Sequence, residues 1–341
     1  MRAVVIDSDR RIRVDTRPDP QLCGPDGVIV EVEAAAICGS DLHFLEGHYP
    51  IDQPVSIGHE AIGMIVEKGS AVSSFAIGDR VMVSSVVGCG NCAGCRTQDP
   101  VMCVEGMKIF GAGLLGGAQA DLLAVPAADF QLCAVPEGID TEQALLLTDN
   151  LATGWAGAKR ADIPVGGTVA VIGAGAVGQC ALRSAYTLGA ATVFAVDPVA
   201  ARRDRAATAG ARTADSPAAQ AILEATDGLG VDAVIDAVGS DTSLDDALAC
   251  IRTGGTVSVV GVHDLAPYPL PALVCLLRSL TIRMTTAPVQ QTWPELIPLL
   301  QAGRLDVDGI FTDTMSLDHA TQAYAAAFSR SAEHLKIALI P

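Results

Sequence analysis

The chain has 341 residues, enough for about two domains that each bury a core of their own. Half of the residues are apolar and 18% are charged, which excludes an intrinsically disordered chain. The formal net charge of -17 leaves no basic surplus for binding nucleic acid or an anionic membrane surface. We therefore expect a globular protein with a small-molecule substrate and with neither nucleic-acid nor membrane partners.

The start of the sequence predicts no signal peptide, because its first apolar run is short and is soon followed by charges. No apolar run is long enough for a membrane span. We expect a cytoplasmic protein. In that reducing compartment its ten cysteines are expected to be thiols or metal ligands rather than disulfides.

The first part of the chain, up to about residue 125, predicts antiparallel strands. Its apolar runs are short and are separated by Gly, Pro and Asp, as in VIVEVEA, AIGMIVEKG and DRVMV. From about residue 153 to about residue 285 the pattern changes to strand, helix, strand, with TVAVIGAG, TVFAVD, AVIDAVG and TVSVVGV as strands. That alternation predicts parallel strands with helical crossovers.

The end of the chain predicts two more helices, at 293–302 and 318–328, and a last strand in LKIALIP. We therefore expect an α/β protein with two domains. A β-rich domain takes residues 1–150 and 287–341 and carries a small lobe near 86–106. An inserted α/β domain takes residues 151–286.

A glycine-rich turn follows the first strand of the inserted domain. Gly173, Gly175 and Gly178 have the spacing G-x-G-x-x-G and stand before an Ala-rich helical stretch. In a dinucleotide site the first glycine allows a tight turn, the second lets a pyrophosphate approach the backbone, and the third lets helix and strand pack closely. Because glycine-rich helix starts also occur for packing alone, the motif needs a second signal.

Asp197 supplies that signal. It ends the next apolar run, nineteen residues after Gly178, where an acid can bind the ribose hydroxyls of the adenosine. The same carboxylate would repel a 2′-phosphate, so we expect NAD rather than NADP. Arg202 and Arg203 follow closely and leave NADP open, although Arg202 can instead cover the adenine or the ribose.

The densest group of cysteines lies in GCGNCAGCRTQDPVMC. Cys89, Cys92, Cys95 and Cys103 have the spacing C-x2-C-x2-C-x7-C. Four thiolates suit a closed tetrahedral site, so we expect a structural zinc ion here. An iron–sulfur cluster also takes cysteine ligands, but its usual spacings differ from this one. Free buried thiols are the remaining alternative.

A second group of potential metal ligands is scattered along the chain. It consists of Cys38, His59, Glu60 and Asp149. A thiolate, an imidazole and a carboxylate would leave a fourth position for water or substrate, as a catalytic zinc requires. Taken one at a time, however, Cys38 can be a small buried hydrophobe, His59 a turn residue and Glu60 a surface charge.

Together these motifs resemble the zinc-dependent medium-chain alcohol dehydrogenases, most closely the bacterial secondary-alcohol dehydrogenases. CGSDLH at 38–43, GHE at 58–60, the four-cysteine lobe and the G-x-G-x-x-G with its acid occur in that family's order and approximate spacing over nearly the whole chain. The resemblance implies a partly open β-barrel (GroES-like) catalytic domain and an inserted Rossmann domain with a doubly wound parallel sheet. It also implies NAD(P)-linked interconversion of alcohols with aldehydes or ketones, with one catalytic and one structural zinc ion per chain.

The resemblance assigns roles within the scattered group. It implies that Cys38, His59 and Asp149 bind the catalytic zinc. Glu60 then binds zinc directly, exchanges with water at the ion, or stays outside the ligand set. Asp41 resembles the acid that orients the ligand histidine and fixes its tautomer.

Further roles concern the proton and the cofactor. By resemblance, Ser40 receives the alcohol proton, His43 exchanges it with solvent, and Thr153 lies on the nicotinamide side. Gly39 stands where some relatives place an arginine against the cofactor pyrophosphate. Pyrophosphate binding is therefore expected to depend more on the glycine loop.

The other cysteines and histidines lack metal-ligand spacing. We expect core packing for the cysteines and assign no role to the histidines. The cysteines are Cys23, Cys133, Cys180, Cys250 and Cys275. The histidines are His48, His263, His319 and His334.

The expected function is that of an NAD-dependent zinc alcohol dehydrogenase acting on a secondary alcohol, which Asp149 and the small Gly39–Ser40 pair favour. A polyol dehydrogenase, favoured by CGSDLH and GHE, and a formaldehyde dehydrogenase stay open, as does a non-catalytic protein that binds zinc and nucleotide. The resemblance also implies a homo-oligomer, either a dimer or a tetramer.

Overall fold

Antiparallel strands dominate the first part of the computed structural model, which describes residues 1–113, 115–329 and 334–341. The strands are β1 (Arg2–Ile6), β2 (Ile12–Thr16), β3 (Val28–Ala36), β4 (Val55–Ser56), β5 (Glu60–Lys68), β6 (Arg80–Val83), β7 (Val86–Val87), β8 (Lys108–Ile109), β9 (Leu122–Val125) and β10 (Leu132–Ala134). β3 shows why they form: the exposed Glu31 and Glu33 alternate with buried valine and alanine, so the strand presents one face to the core. The antiparallel strands predicted for this region are confirmed.

The helices of this part are short and lie between strands. They are α1 (Gly39–Glu46), α2 (Ala128–Gln131) and α3 (Thr141–Thr148). α1 begins directly after β3, and α3 begins at the cap residue Asp140, whose side chain accepts a hydrogen bond from the backbone of Gln143. Two 3-10 turns, Cys95–Thr97 and Pro100–Met102, lie in the four-cysteine lobe.

A six-stranded parallel sheet forms the middle of the chain. Its elements are α4 (Asn150–Arg160), β11 (Thr168–Ile172), α5 (Ala176–Thr187), β12 (Thr192–Val196), α6 (Ala200–Thr208), β13 (Arg212–Ala214), α7 (Ala219–Ala225), β14 (Val231–Asp236), α8 (Asp241–Cys250), β15 (Ile251–Val259), α9 (Ala272–Leu277) and β16 (Thr281–Met284). The strand order is β13-β12-β11-β14-β15-β16, and every pair is parallel. The central strands are nearly continuous apolar runs because helices cover both faces, and the doubly wound sheet is as expected.

The last part of the chain returns to the first. Its elements are α10 (Val289–Gln301), β17 (Asp313–Ser316), α11 (Ala320–Phe328) and β18 (Ile337–Ile340). β18 runs antiparallel to β3, with Ala338 opposite Ala36, and completes a seven-stranded sheet. The indole of Trp293 in α10 donates a hydrogen bond to the carbonyl of Leu147, 2.9 Å away. The predicted C-terminal helices and strand are therefore present, and the strand joins the first sheet.

Within the part of the chain that the structure describes, none of the helices combines the length and the apolar character that crossing a membrane requires.

Candidate active site and cofactor loop

Three turns of the chain bring the scattered ligand candidates together. Cys38 is the residue before α1, His59 and Glu60 stand where β5 begins, and Asp149 lies between α3 and α4. The ligand atoms of the four side chains all lie within 4.8 Å of one another. β3 and β5 are paired so that Ala36 faces Glu60, which explains why residues some twenty positions apart meet. The predicted convergence of these four residues is thus present.

The distances place Asp149 at the centre of the group. Its Oδ2 lies 3.4 Å from the sulfur of Cys38 and 3.5 Å from Nε2 of His59. Its Oδ1 accepts a hydrogen bond from the hydroxyl of Ser85 at 3.0 Å, and Asn150 Nδ2 donates to Oδ2 at 2.8 Å. Burial raises the pKa of Asp149, but the hydrogen bond and charge of His59 outweigh it and lower the value to about 2. The carboxylate is therefore ionised and ready to bind a cation.

His59 is held from its other side. Its Nδ1 lies 3.3 Å from Oδ1 of Asp41, so Nε2 points toward Cys38 and Asp149. Asp41 Oδ2 in turn accepts hydrogen bonds from the backbone N–H of Cys38 at 3.0 Å and from Gln119 Nε2 at 3.2 Å. A carboxylate on Nδ1 fixes the tautomer that leaves Nε2 free for a metal. The geometry matches the orienting role expected for Asp41.

Gln119 is supported in turn by the C-terminal helix. The hydroxyl of Tyr324 in α11 donates a hydrogen bond to Gln119 Oε1 at 2.8 Å, and both side chains are buried. A chain of hydrogen bonds therefore connects the last helix to the orientation of His59 through Asp41.

Glu60 is fully buried, so its interpretation as a surface charge is wrong. Its Oε1 forms an ion pair with the buried Lys336 and accepts a hydrogen bond from Asn150 Nδ2 at 3.2 Å. Its Oε2 is buried and has no hydrogen-bond partner among the described residues. Burial raises the pKa of Glu60 against the attraction of Lys336. An orphaned carboxylate oxygen beside a thiol, an imidazole and a second carboxylate fits a bound cation, and this mixture of donors fits zinc.

Lys336 and Asn150 are functional candidates that the sequence reasoning missed. The ammonium of Lys336 also donates to the carbonyl of Ile37 at 3.0 Å, so it is held between β3 and the ligand group. The sequence does carry a signal for Lys336: it is the single charged residue of the apolar run LKIALI, and a buried lysine needs an ionic partner.

The four cysteines of the lobe also converge. Their sulfur atoms lie within 4.8 Å of one another, with Cys92 and Cys95 3.5 Å apart and Cys89 and Cys95 4.0 Å apart. Sulfurs about 2.3 Å from a tetrahedral zinc ion are about 3.8 Å from each other. Backbone N–H groups of Cys95 and Val104 lower the pKa of Cys92 to about 6, whereas burial raises that of Cys95 to about 12. The lobe therefore has the shape of a tetrathiolate site.

The glycine loop has the geometry of a dinucleotide turn. Gly173 has φ +86°, a conformation that favours glycine. A Cβ on Gly178 would lie 1.8 Å from the carbonyl oxygen of Gly173, so only glycine lets α5 pack against β11. At Gly175 the nearest atom to such a Cβ is Arg202 Nη1 at 4.0 Å, so the loop is open at the position where a pyrophosphate would approach.

Asp197 closes this loop. Its Oδ2 accepts a hydrogen bond from the backbone of Ala174 at 2.9 Å, and its Oδ1 accepts one from Val199 at 2.8 Å. Arg202 Nη1 lies 3.7 Å from Oδ2, and Arg202 Nε is buried without a partner among the described residues. Arg203 instead donates to the carbonyl of Asp197. Asp197 and Arg202 therefore flank the loop, as a cofactor site requires.

Of the expected proton-relay and nicotinamide residues, Ser40 and Thr153 contact the ligand group, and His43 lies in the same helix as Ser40. Ser40 Oγ is 3.4 Å from His59 Nε2, and the ring of His43 contacts His48 and Tyr49. Thr153 lies one helical turn after Asp149, to whose carbonyl its backbone N–H donates. A Cβ on Gly39 would have no heavy atom within 4 Å.

The remaining cysteines are all free, as expected. Cys180 and Cys250 are buried in the core, as predicted. Cys133 and Cys275 are half-buried. Cys23 is exposed, so the prediction of core packing is wrong there, because this residue lies in the connection between β2 and β3 rather than in either strand.

Comparison with known proteins matches two segments of the chain to two family descriptions. Residues 24–137 match the family described as alcohol dehydrogenase GroES-like domain, and residues 176–302 match the family described as zinc-binding dehydrogenase. A Mycobacterium tuberculosis protein named "Probable zinc-binding alcohol dehydrogenase" is 69% identical over 341 residues, which are 100% of this chain and 89% of the relative.

Solved structures are also similar over the whole chain. Alcohol dehydrogenase TADH from Thermus sp. ATN1 superimposes with a TM-score of 0.92 at 33% identity, covering 100% of this chain and 99% of that one. A zinc-binding dehydrogenase from Sinorhizobium meliloti 1021, solved bound to NADP, has a TM-score of 0.84 at 30% identity and covers 100% and 99%. The fold is therefore a GroES-like domain with a Rossmann domain. The chain belongs to the zinc-dependent alcohol dehydrogenases of the medium-chain dehydrogenase/reductase family, which are oxidoreductases acting on CH–OH groups.

Proposed function

We propose that the protein interconverts a secondary alcohol and a ketone, with NAD as the redox cofactor. The observation that carries this proposal is the convergence of Cys38, His59 and Asp149, whose ligand atoms all lie within 4.8 Å of one another. Ser40 lies beside them, with Oγ 3.4 Å from His59 Nε2. The carboxylate as third ligand candidate favours a secondary alcohol. The small Gly39–Ser40 pair also favours it.

The catalytic zinc would be held by the thiolate of Cys38, Nε2 of His59 and Oδ2 of Asp149. When bound, zinc lowers the pKa of an alcohol or polarises a carbonyl, and NAD accepts or returns a hydride. Glu60 Oε2 would offer zinc a further, exchangeable oxygen, and Lys336 holds the carboxylate in place by its ion pair. The structural zinc would be held by Cys89, Cys92, Cys95 and Cys103.

Residues of the chain would then transfer the substrate proton and contact the cofactor. Ser40 Oγ takes the proton of the substrate hydroxyl, and His43 passes it to solvent, because an imidazole gains and loses protons near neutral pH. The hydroxyl of Thr153 lies on the nicotinamide side. Each of these three roles predicts a loss of kcat with little change in zinc content.

NAD preference is proposed from the carboxylate of Asp197, which lies at the end of β12 where ribose hydroxyls bind. Arg202 would cover the adenosine end and gives NADP a possible partner. The Sinorhizobium relative binds NADP, so the preference needs a direct measurement. We expect the ratio of kcat/KM for NAD to that for NADP to exceed about tenfold, and Asp197→Asn to reduce that ratio.

The glycine loop offers a matched pair of variants for the cofactor site. Gly175→Ala places a methyl group in open space, so we expect unchanged thermal stability but weaker NAD binding. Gly178→Ala forces a clash with Gly173, so we expect a lower Tm even without cofactor. If both variants bind NAD as tightly as the wild type, the loop is not part of the cofactor site.

The domain division and the assembly are also proposals. We propose a catalytic domain of residues 1–150 and 287–341 and a cofactor domain of residues 151–286. A second copy of the chain would cover β16, one of the two edge strands of the parallel sheet, together with the exposed leucines of α9. Those leucines are Leu273, Leu276 and Leu277. Light scattering of the wild type and of Leu276→Glu would test this: the wild type is expected to be a dimer or tetramer, and the variant a smaller species.

The decisive experiment measures initial rates of NAD reduction by zinc-replete protein with secondary, primary and polyol substrates and with formaldehyde. Fastest turnover of secondary alcohols supports the proposal. Preference for a polyol or for formaldehyde keeps the zinc site and rejects the substrate class. Bound zinc and bound NAD without turnover of any substrate would favour a non-catalytic binding protein instead.

A further inference from the structure

We propose that His43, Glu46 and His48 form a third, exchangeable site for a divalent zinc ion, and that zinc bound there inhibits turnover. The three residues, called the α1 cluster below, lie at the C-terminal end of α1. Their candidate ligand atoms lie within 4.8 Å of one another. The inhibitory part rests on the function proposed above for His43, whereas the binding part does not.

The backbone explains why the cluster forms. α1 ends at Gly47, whose φ of +90° reverses the chain direction. The N–H groups of Gly47 and His48 both donate to the carbonyl of His43, at 3.1 and 3.0 Å. This tight ending places the ring of His48 beside the ring of His43, with centroids 4.9 Å apart. Glu46, the last residue of the helix, lies between them in sequence and faces both rings.

The distances are close to those of a tetrahedral ligand set. The two Nδ1 atoms are 2.6 Å apart, and each lies 3.7 Å from Glu46 Oε2. Ligands about 2.0 to 2.1 Å from a tetrahedral zinc ion are about 3.3 Å from one another. Each pair therefore needs to move by less than about 1 Å, which side-chain rotation can supply.

The protons also balance. Two Nδ1 atoms at 2.6 Å share one hydrogen between them in the metal-free cluster. When zinc binds, both neutral rings carry their single hydrogen on Nε2, and both Nδ1 lone pairs face the ion. Glu46 contributes one negative charge, and water completes the four ligands.

The donor set distinguishes this site from the two sites already described. Two imidazoles and one carboxylate form a ligand set that zinc uses elsewhere with one open position. The side chains of His43, Glu46 and His48 are 17%, 21% and 35% exposed, whereas Cys38, His59 and Glu60 are buried and the side chain of Asp149 is 14% exposed. A site with a solvent-facing histidine and no thiolate is expected to bind zinc more weakly and to exchange it faster.

Inhibition follows from the ligand atom. Zinc on Nδ1 of His43 occupies the lone pair that would accept a proton, so the imidazole can no longer carry the proton outward. We therefore expect zinc in excess of two equivalents to lower kcat, with little effect on the KM of NAD.

Binding is tested on enzyme that already holds its two zinc ions. Calorimetric titration with zinc chloride is expected to show a third equivalent per chain. Glu46→Gln and His48→Asn are expected to weaken that equivalent by at least about tenfold, since each removes one ligand. His263→Asn is the matched control, because His263 pairs with Asp241 at 3.0 Å and Asp264 at 3.2 Å but belongs to none of the clusters of three metal ligands found among the described residues. The site is refuted if the wild type binds no third equivalent of zinc, or if both cluster variants bind that equivalent as tightly as the wild type.

Turnover is measured separately. The wild type is expected to lose activity as the third equivalent fills, and His48→Asn is expected to resist the added zinc when compared with its own activity before zinc is added. If zinc binds at the cluster without lowering kcat, the inhibitory role is refuted while the site stands. If the enzyme turns over no alcohol, the function proposed above fails, and calorimetry alone decides the site.

Discussion

The two candidate zinc sites differ in how the chain builds them. The lobe takes all four ligands from residues 89–103, and its backbone supplies N–H groups to the sulfurs. The buried group takes its ligand candidates from residues 38, 59, 60 and 149 and depends on strand pairing, two helix junctions and a lysine just before the last strand. A local site can therefore be read from spacing, whereas an assembled site exists only once the whole fold has formed.

Burial follows the same division. Cys89 and Cys92 are only half-buried, so the lobe lies near solvent. Its sulfur atoms accept hydrogen bonds from backbone N–H groups and need no charged side-chain partner. In the assembled site His59 and Glu60 are buried, so each needs a charged partner: Asp41 for His59 and Lys336 for Glu60. This difference predicts that damage to the lobe lowers stability, while damage to the assembled site lowers activity.

The largest expected effect is on activity, from His59→Ala. Removing one ligand of the assembled site should release one zinc ion of two and lower kcat by about 10³-fold, which corresponds to about 4 kcal/mol of lost transition-state stabilisation. Zinc content and initial rates measure both quantities. Ser85→Ala is the control, since it removes only a hydrogen bond to Asp149 and should retain both zinc ions. A His59→Ala enzyme with normal turnover would contradict the catalytic assignment.

The matching change in the lobe is Cys95→Ser. Cys95 is buried beside the other three sulfurs, so its loss should release the other zinc ion and unfold the lobe, lowering the free energy of unfolding by several kcal/mol. The protein that stays folded should keep kcat within about threefold of the wild type. Thermal unfolding and active-site titration separate these effects. Equal loss of kcat in the two variants would remove the distinction between the sites.

The sequence predicted the parts of the fold that depend on local pattern. Alternation in β3, the apolar runs of the parallel strands and the glycine loop all lie where the patterns indicated. The ion pair of Lys336 with Glu60 could not be predicted from the sequence. It forms only because β18 pairs with β3, about 300 residues earlier in the chain. The contact of His43 with His48 could not be predicted from spacing, because it depends on the left-handed conformation of Gly47.

A smaller effect is expected from Lys336→Met. The change leaves the charge of Glu60 buried without its partner, so we expect the free energy of unfolding to fall by about 3 kcal/mol. The double variant Lys336→Met with Glu60→Gln removes both charges and should recover most of that loss. Denaturant unfolding of the zinc-loaded proteins measures the difference. If the double variant is no more stable than Lys336→Met, the ion pair does not account for the loss, and Lys336 acts on the site in another way.

The smallest effect concerns the reactivity of one thiol in the lobe. Hydrogen bonds from the backbone N–H groups of Cys95 and Val104 lower the pKa of Cys92 to about 6, so its thiolate predominates above that pH once zinc has been removed. Alkylation by iodoacetamide should rise as pH increases through about 6 and then level off. Cys23 is exposed, but partial desolvation by its neighbours and the charge of Asp26 raise its pKa, so it should still be gaining reactivity at pH 9.

The same measurement sharpens the contrast between the sites. Mass spectrometry of the alkylated peptides can follow Cys38 as well, and burial raises the pKa of that thiol, so Cys38 should react last. Bound zinc should protect both residues. If the alkylation of Cys92 instead had the pH midpoint of an ordinary thiol, the backbone N–H groups would not be lowering the pKa of this ligand before zinc binds. Both sites would then depend on the metal ion to ionise their sulfurs, and the local site would differ from the assembled one only in spacing.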